Sequence, residues 1–461
     1  MIDPRSFLRR ASLRALFPAG AATALLLACS VCSSLAGCGS NETHETDTVS
    51  AGGSDADGGD ATSSDTTTNA DTGGGGTPTF VGVCSETKAC SSAKMCVDGV
   101  CAPEPGADDK TGLRDPTKDN IATDTAIDLS CVGVGLAEVV KDLPKDQKAT
   151  MWGRVDRFGG GGITTQIEVA VFRASDFHPE ACADIEDPAD AQDCYRDPSK
   201  VGTPLATTVS IDPTEAAASG WDVKSMHAAE EECDKGVHLQ CPSGYVCDKV
   251  DGWVKCAKNH GIYAIDDVPL NTPLILRTRA VNPANSNGWH DSYTWDVVLL
   301  STHLDDKGEG NQPSKYVGKD TVRFNPTIVG EGQWQLVPST IGVIGGIYEG
   351  DGVIGGRIRD CGTKDRRSWP IVDAKVGFGV APEGLSYFND SELDPVPAKN
   401  RTTTNIIGRY AAVGVPPGPN RVAVTGRIDG KAQSLGSADV YVIPNALVIV
   451  SLPGLTPYNN K

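Results

Sequence analysis

The sequence predicts a mainly β protein. Two tandem β-sandwiches, over 128–345 and 346–461, follow an export signal (1–37), a disordered tether (38–80) and a small disulfide-rich module (81–110). Three observations predict this. Beyond about residue 128, segments such as Gln166-Ile167-Glu168-Val169-Ala170-Val171-Phe172 and Arg421-Val422-Ala423-Val424-Thr425 alternate with period two, the signature of a strand with one buried face. Gly, Pro, Asn and Asp separate these short segments, as in a sandwich, while amphipathic helical stretches of more than ten residues are hard to find. Finally, Gly261-Ile262-Tyr263-Ala264 with Val268-Pro269 recurs as Gly408-Arg409-Tyr410-Ala411 with Val415-Pro416, at a constant offset of 147.

The N-terminus comes first in chain order. Arg5, Arg9, Arg10 and Arg14 precede an apolar run, Ala21 to Leu27, and then Leu35-Ala36-Gly37-Cys38. That is the order of a secretory signal peptide with small residues at its cleavage site. Pro18, Gly20, Ser30, Ser33 and Ser34 break the run, whereas a membrane span needs roughly 20 apolar residues. The tetrapeptide resembles the lipobox of bacterial lipoproteins. The resemblance implies diacylglycerol on the Cys38 thiol, cleavage before Cys38, and a mature chain held to a membrane by its first residue. Gly39 stands where Asp favours inner-membrane retention in lipoproteins of enteric bacteria, so the resemblance points to the outer membrane of a Gram-negative cell, facing the periplasm or the cell surface.

Residues 39–80 carry eight acidic residues and no Lys or Arg. Without an apolar period they cannot bury a core, and a flexible chain of this length reaches roughly 35 Å. The whole chain of 461 residues has formal charge −19; removing residues 1–37, with four Arg and one Asp, leaves 37 basic against 59 acidic residues, or −22. Such a surface disfavours nucleic acid and anionic lipid headgroups.

Of 15 cysteines, Cys29 and Cys32 leave with the signal and Cys38 carries lipid. Twelve remain, and in an exported chain disulfides are expected rather than a metal site, for which paired C-x2-C units and His partners are missing. Cys84, Cys90, Cys96 and Cys101 fall within 18 residues, too few to enclose a core, so bridges supply the order there. A second quartet, Cys233, Cys241, Cys247 and Cys256, repeats the central spacing. Both resemble EGF- or dickkopf-like cysteine modules, and each allows three connectivities. Cys182 and Cys194 are expected to pair within an insertion over about 180–258. By elimination Cys131 and Cys361 are left to bridge, with the space between the sandwiches as the expected place.

The second repeat adds Gly356-Arg357-Ile358-Arg359-Asp360, Pro370-Ile371-Val372-Asp373-Ala374-Lys375-Val376 and Val415-Pro416-Pro417-Gly418. Together these resemble the carboxypeptidase regulatory-like module, which implies a transthyretin-like seven-strand sandwich over about 350–455. The first copy, about 128–300, lacks a clear Pro-Ile-x-x-Ala-x-Val and has the long insertion before its Gly-x-Tyr. Strand-like Gln333-Trp334-Gln335-Leu336-Val337 is expected to complete it, and Thr214–Glu232 to hold one or two helical turns.

No catalytic signature emerges. Gly350-Asp351-Gly352-Val353-Ile354-Gly355 fits G-x-G-x-x-G, but a strand-like stretch follows where a dinucleotide site needs a helix. His227-Ala228-Ala229-Glu230 has the His-x-x-Glu spacing of zinc carboxypeptidases, without a third ligand. His178, His238, His260, His290 and His303 are scattered, and Asp266-Asp267 and Asp305-Asp306 read as solvated turns. Trp289, His290 and Tyr293 are the candidate ligand platform, for stacking against a sugar, with Trp295 expected in the core beside Val297 and Leu299. The expectation is a non-enzymatic cell-envelope lipoprotein, structural or protein-binding, with no cofactor. The alternatives are a carbohydrate-binding surface lipoprotein and, third, an accessory part of a secreted hydrolase system. Partners are the membrane, through the lipid, and an envelope protein or polysaccharide.

Overall fold

The structure is a computed structural model. It describes residues 80–452, except 86, 115–120, 123–125, 135–137, 139, 159–163, 221–244, 251–252, 259–260, 282–287, 302–320, 362–367 and 391–395. The signal, Cys38, nearly all of the tether, His227–Glu230, Cys233 and Cys241 lie outside the described residues. For Cys247 and Cys256 only the backbone is described, at directly opposed positions of the hairpin Tyr245–Val250 and Trp253–Lys258. All described residues fall in the unit Thr72–Lys461, and the chain there is mainly β.

Two sets of strands repeat the same pairing. In the first, Lys148–Arg154 runs antiparallel to Ile262–Pro269 and parallel to Thr321–Arg323. In the second, Gly352–Arg357 runs antiparallel to Arg409–Val415 and parallel to Leu447–Ile449. Each set has a facing sheet. Pro273–Ala280 lies between Ile167–Arg173 and Ser292–Val298 in the first, and Gly418–Ile428 between Lys375–Phe378 and Lys431–Val442 in the second.

The repeated motif has a shared physical cause. Gly153 pairs across the ladder with Tyr263, and Gly356 with Tyr410. A β-carbon on Gly153 would sit 2.0 Å from the Phe324 carbonyl oxygen, and one on Gly356 1.7 Å from that of Val450. Those same two carbonyls accept the buried hydroxyls of Tyr263, at 2.7 Å, and Tyr410, at 3.1 Å. Glycine admits the third strand, and tyrosine fills the space above it.

The two copies do not stand as separate sandwiches. Ser292–Val298 of the first pairs in parallel with Leu447–Ile449 of the second. The result is one eight-stranded sheet, in the order 384–387, 409–415, 352–357, 447–449, 292–298, 273–280, 167–173, 206–209. Both faces are covered. One carries Ala170, Phe172, Ile275, Tyr293, Trp295, Ile354, Tyr410 and Val448, under the second copy's outer sheet and the helical stretch 174–201. The other carries Val169, Val171, Leu274 and Leu276 against the first copy's own partner sheet. Further along that face, Val353, Val413 and Leu447 meet the helix Glu331–Ile341. Double coverage explains why Arg409–Val415 is buried at every position, as in sheets covered on both sides.

Three expectations change. Gln333–Val337 is helical: Gly330 precedes the helix, Glu331 occupies its first turn, and Gly342 ends it in the left-handed conformation. The strand that completes the first copy is Thr321–Arg323 instead. The insertion is more helical than expected: Pro213–Ala218 falls where a helical turn was expected, and Pro188–Arg196 and Pro198–Val201 add helix ahead of it. Finally, the small module, whose order was expected to come from its bridges, is also docked on the second copy. Its hairpin, Lys94–Val97 and Val100–Pro103, packs Val97, Val100 and Ala102 on Ala423, and strand Gly112–Arg114 pairs with Ile371–Val372.

Candidate functional site

Disulfides fix the module. Cys84 bonds Cys96 and Cys90 bonds Cys101, giving first-to-third and second-to-fourth connectivity. Asp98 and Gly99, both with positive φ, form the hairpin turn between them. The Asp98 carbonyl accepts from Arg421, and its carboxylate takes the Ser437 hydroxyl at 2.6 Å. Cys182 bonds Cys194 in the helical stretch. Cys131 bonds Cys361, the expected pair; Cys131 lies ahead of the first copy's first strand, in a segment whose Asp128 exchanges hydrogen bonds with Asp360 and Cys361. The bridge ties that leading segment to the second copy.

The candidate platform divides. Trp289 and His290 form a short strand against Val329–Gly330, immediately before the helix Glu331–Ile341. The His290 ring stacks on Trp334 at 4.0 Å, and its Nε2 lies 2.7 Å from Glu331 Oε2. The Arg157 guanidinium lies over the Trp289 ring, 5.5 Å from its centre. Each tryptophan therefore presents a face to a neighbour of its own chain rather than to solvent. Tyr293 is fully buried and donates to the Tyr195 carbonyl at 3.3 Å, so it is no part of an exposed platform.

Trp295 is buried, as expected, but on the opposite face from Val297 and Leu299. The cause is Asp296, with φ +57. It makes a bulge in which Ile275 faces two residues of Ser292–Val298, and a bulge shifts the alternation by one. Burial, and then the nearby Asp439 carboxylate, push the Asp296 carboxyl up to about 7.

The other candidates find structural roles. The glycine-rich Gly350–Gly355 leads into the central strand Gly352–Arg357, with no helix after it. Asp267 lies 3.8 Å from Lys148, and Asp266 accepts from Thr150 at 2.7 Å. Among the described residues the group that could gather at a metal is Cys84, Cys90 and Cys96, but their sulfurs are oxidised and a metal needs thiolates. A shallow depression of about 590 Å³ is lined by Asn389, Asp390, Lys399, Asn400, Arg401 and Thr403. Its Asp390 carboxylate is held by both ends of Arg401, at 2.9 and 3.0 Å.

Two features escape sequence reasoning. Arg154, Arg357, Arg359 and Arg409 gather where the two copies' strand ends meet. Burial, with the neighbouring Arg409 and Arg359 charges, holds the Arg357 guanidinium well below its ordinary value, while Asp156 opposes the shift. The second is the turn after the helix Glu331–Ile341. Ile344 is 90% exposed and Tyr348 57%, and Leu336 on the helix is 37% exposed. The visible signal was there: seventeen consecutive residues, 332–348, carry no charge in a chain that is 22% charged.

No family model matches this chain, and no curated protein matches it. Among solved structures, the shaft pilin SpaA from Lactobacillus rhamnosus GG is 9% identical, over 68% of this chain and 100% of that one, with a TM-score of 0.14. A leucine-rich repeat protein from Bacteroides thetaiotaomicron VPI-5482 is 8% identical, over 68% of this chain and 27% of that one, also with a TM-score of 0.14. Likenesses this distant carry no argument.

Proposed function

We propose that this chain is a non-enzymatic lipoprotein of the outer membrane, acylated at Cys38, whose two transthyretin-like copies form one scaffold for contact with another envelope component. The observation that carries the reading is the parallel pairing of Ser292–Val298 with Leu447–Ile449, which merges the copies into one doubly covered sheet. A hinge between domains suits an enzyme that closes on substrate; a shared sheet suits a spacer or a presenting surface. The carboxypeptidase regulatory-like motif of the second copy fits this reading, since in that family the module is noncatalytic.

The partner of first choice is an envelope protein, because the one tryptophan of the candidate platform, Trp289, already has the Arg157 guanidinium over its ring. Two experiments test the proposal. Labelled palmitate should enter the chain and be lost in Cys38→Ala. Crosslinking in intact cells should trap a protein partner, while purified envelope polysaccharide fails to retain the folded chain. Saturable polysaccharide binding that disappears in Trp289→Ala would replace the protein reading with the carbohydrate one.

A further inference from the structure

The turn 342–350 combines three features. It projects: a β-carbon on Gly342, Gly345 or Gly346 would meet nothing within 4 Å. It is anchored from below, because Ile341, Val343 and Ile347 pack on the cluster beneath the helix, beside Gly384. And it holds its apolar residues outward, with Ile344 at the most exposed point, Tyr348 beyond it and Leu336 behind it. The His290–Trp334 stack and the His290–Glu331 contact lock the other end of the helix to the strands.

We infer that this turn is a lipid-surface contact, which inserts Ile344 and its neighbours into the headgroup boundary of an uncharged bilayer. The shape favours a surface over a groove-binding peptide, since a projecting turn has no walls to enclose a ligand. Charge narrows the choice further. The chain carries −19, and an acidic face brought to a membrane that holds anionic lipid meets repulsion. The exposed side chains of 332–348 carry no charge, the next acidic residue being the exposed Glu349, and tyrosine beside apolar residues suits the bilayer interface. The inference deepens the lipoprotein reading by giving the tethered body a membrane-facing side, but its test does not depend on acylation.

The test uses the full mature chain from residue 38 with Cys38→Ser, which cannot be acylated, mixed with phosphatidylcholine vesicles and separated by flotation. The chain should float with the vesicles. Ile344→Ser should lower the bound fraction roughly tenfold, the scale set by burying one such side chain. Val81→Ser, which alters an equally exposed apolar residue (84%) on the small module, should leave it unchanged. Absence of flotation, equal binding by Ile344→Ser, or an equal loss in Val81→Ser would overturn the inference. So would concentration-dependent self-association that Ile344→Ser abolishes, which would assign the turn to a second copy of the chain. Failed palmitate labelling with intact vesicle binding would instead remove the acyl anchor and keep the contact.

Discussion

At Gly153 and Gly356 a missing β-carbon lets a third strand approach, and this sets the cost of replacing either residue. Gly356→Ala would push a methyl against the Val450 carbonyl, displacing the strand end that joins the copies. The expected loss is roughly 3 kcal/mol or more, read as a lower urea midpoint. Tyr263→Phe and Tyr410→Phe remove only the buried hydroxyls that reach Phe324 and Val450, and each should cost about 1 kcal/mol. Asp296 is of another kind. Its folded-state carboxyl is raised to about 7, so the fold holds the proton more tightly than the unfolded chain does. Stability is then greatest below the ordinary carboxylate range and falls as pH rises from about 4 to about 7, by on the order of 2 kcal/mol for a partly exposed group. Asp296→Asn tolerates the positive φ. It should melt at nearly the same temperature at pH 5 and pH 8, while the native chain loses several degrees. The tyrosines were legible as repeated letters at an offset of 147, and the glycines as the start of Gly153-Arg154-Val155 and Gly356-Arg357-Ile358. The bulge was not, because Tyr293-Thr294-Trp295-Asp296-Val297 reads as plain alternation until one residue turns left-handed.

The helix Glu331–Ile341 was the element most opaque to the sequence. Its Gln-Trp-Gln-Leu-Val alternates like a strand, and Pro338 lies inside it, where proline ordinarily breaks a helix. What decides is tertiary: a sheet face of Val353, Val413 and Leu447 waits to be covered, and Val337 and Ile341 meet it one turn apart. His290 holds the near end in place. His290→Ala should speed hydrogen exchange in the helix by about tenfold, equivalent to the loss of roughly 1.4 kcal/mol, and weaken the near-ultraviolet signal of Trp334, while the eight-stranded sheet stays protected. Unchanged exchange in the helix would mean that the apolar face alone holds it.

Across the whole molecule, the two copies and the docked module should unfold together. Near-ultraviolet and far-ultraviolet signals are expected to disappear in one coincident transition, because no plane separates the copies without breaking the sheet. The Cys131–Cys361 bond spans a sequence separation of 230. Its loss in Cys131→Ser with Cys361→Ser should lower stability by up to roughly 5 kcal/mol in the chain-entropy limit. Tandem copies were readable from the sequence, since Gly153, Tyr263, Gly356 and Tyr410 return with their strands. Their union was not. Ser292-Tyr293-Thr294 and Leu447-Val448-Ile449 are ordinary strand residues, and nothing in either marks the other as its partner.

The joint between the copies also has a direction. An edge of the first copy's outer sheet meets the opposite kind of edge on the second, head to tail, and a contact of that kind leaves one unmatched edge at each end. Among the described residues the corresponding edge strands are Lys431–Val442 and Thr321–Arg323, so in principle the same step could be taken again, chain after chain. The rim at Lys431–Val442 is poorly suited to it. Gly436, at φ +118, breaks its line, Asp439 is clamped by Arg421 at 2.6 and 2.7 Å, and the small module reaches over to Ser437. Irregularity, charge and cover are how sheets avoid unwanted growth, and here they hold a two-unit stack at two.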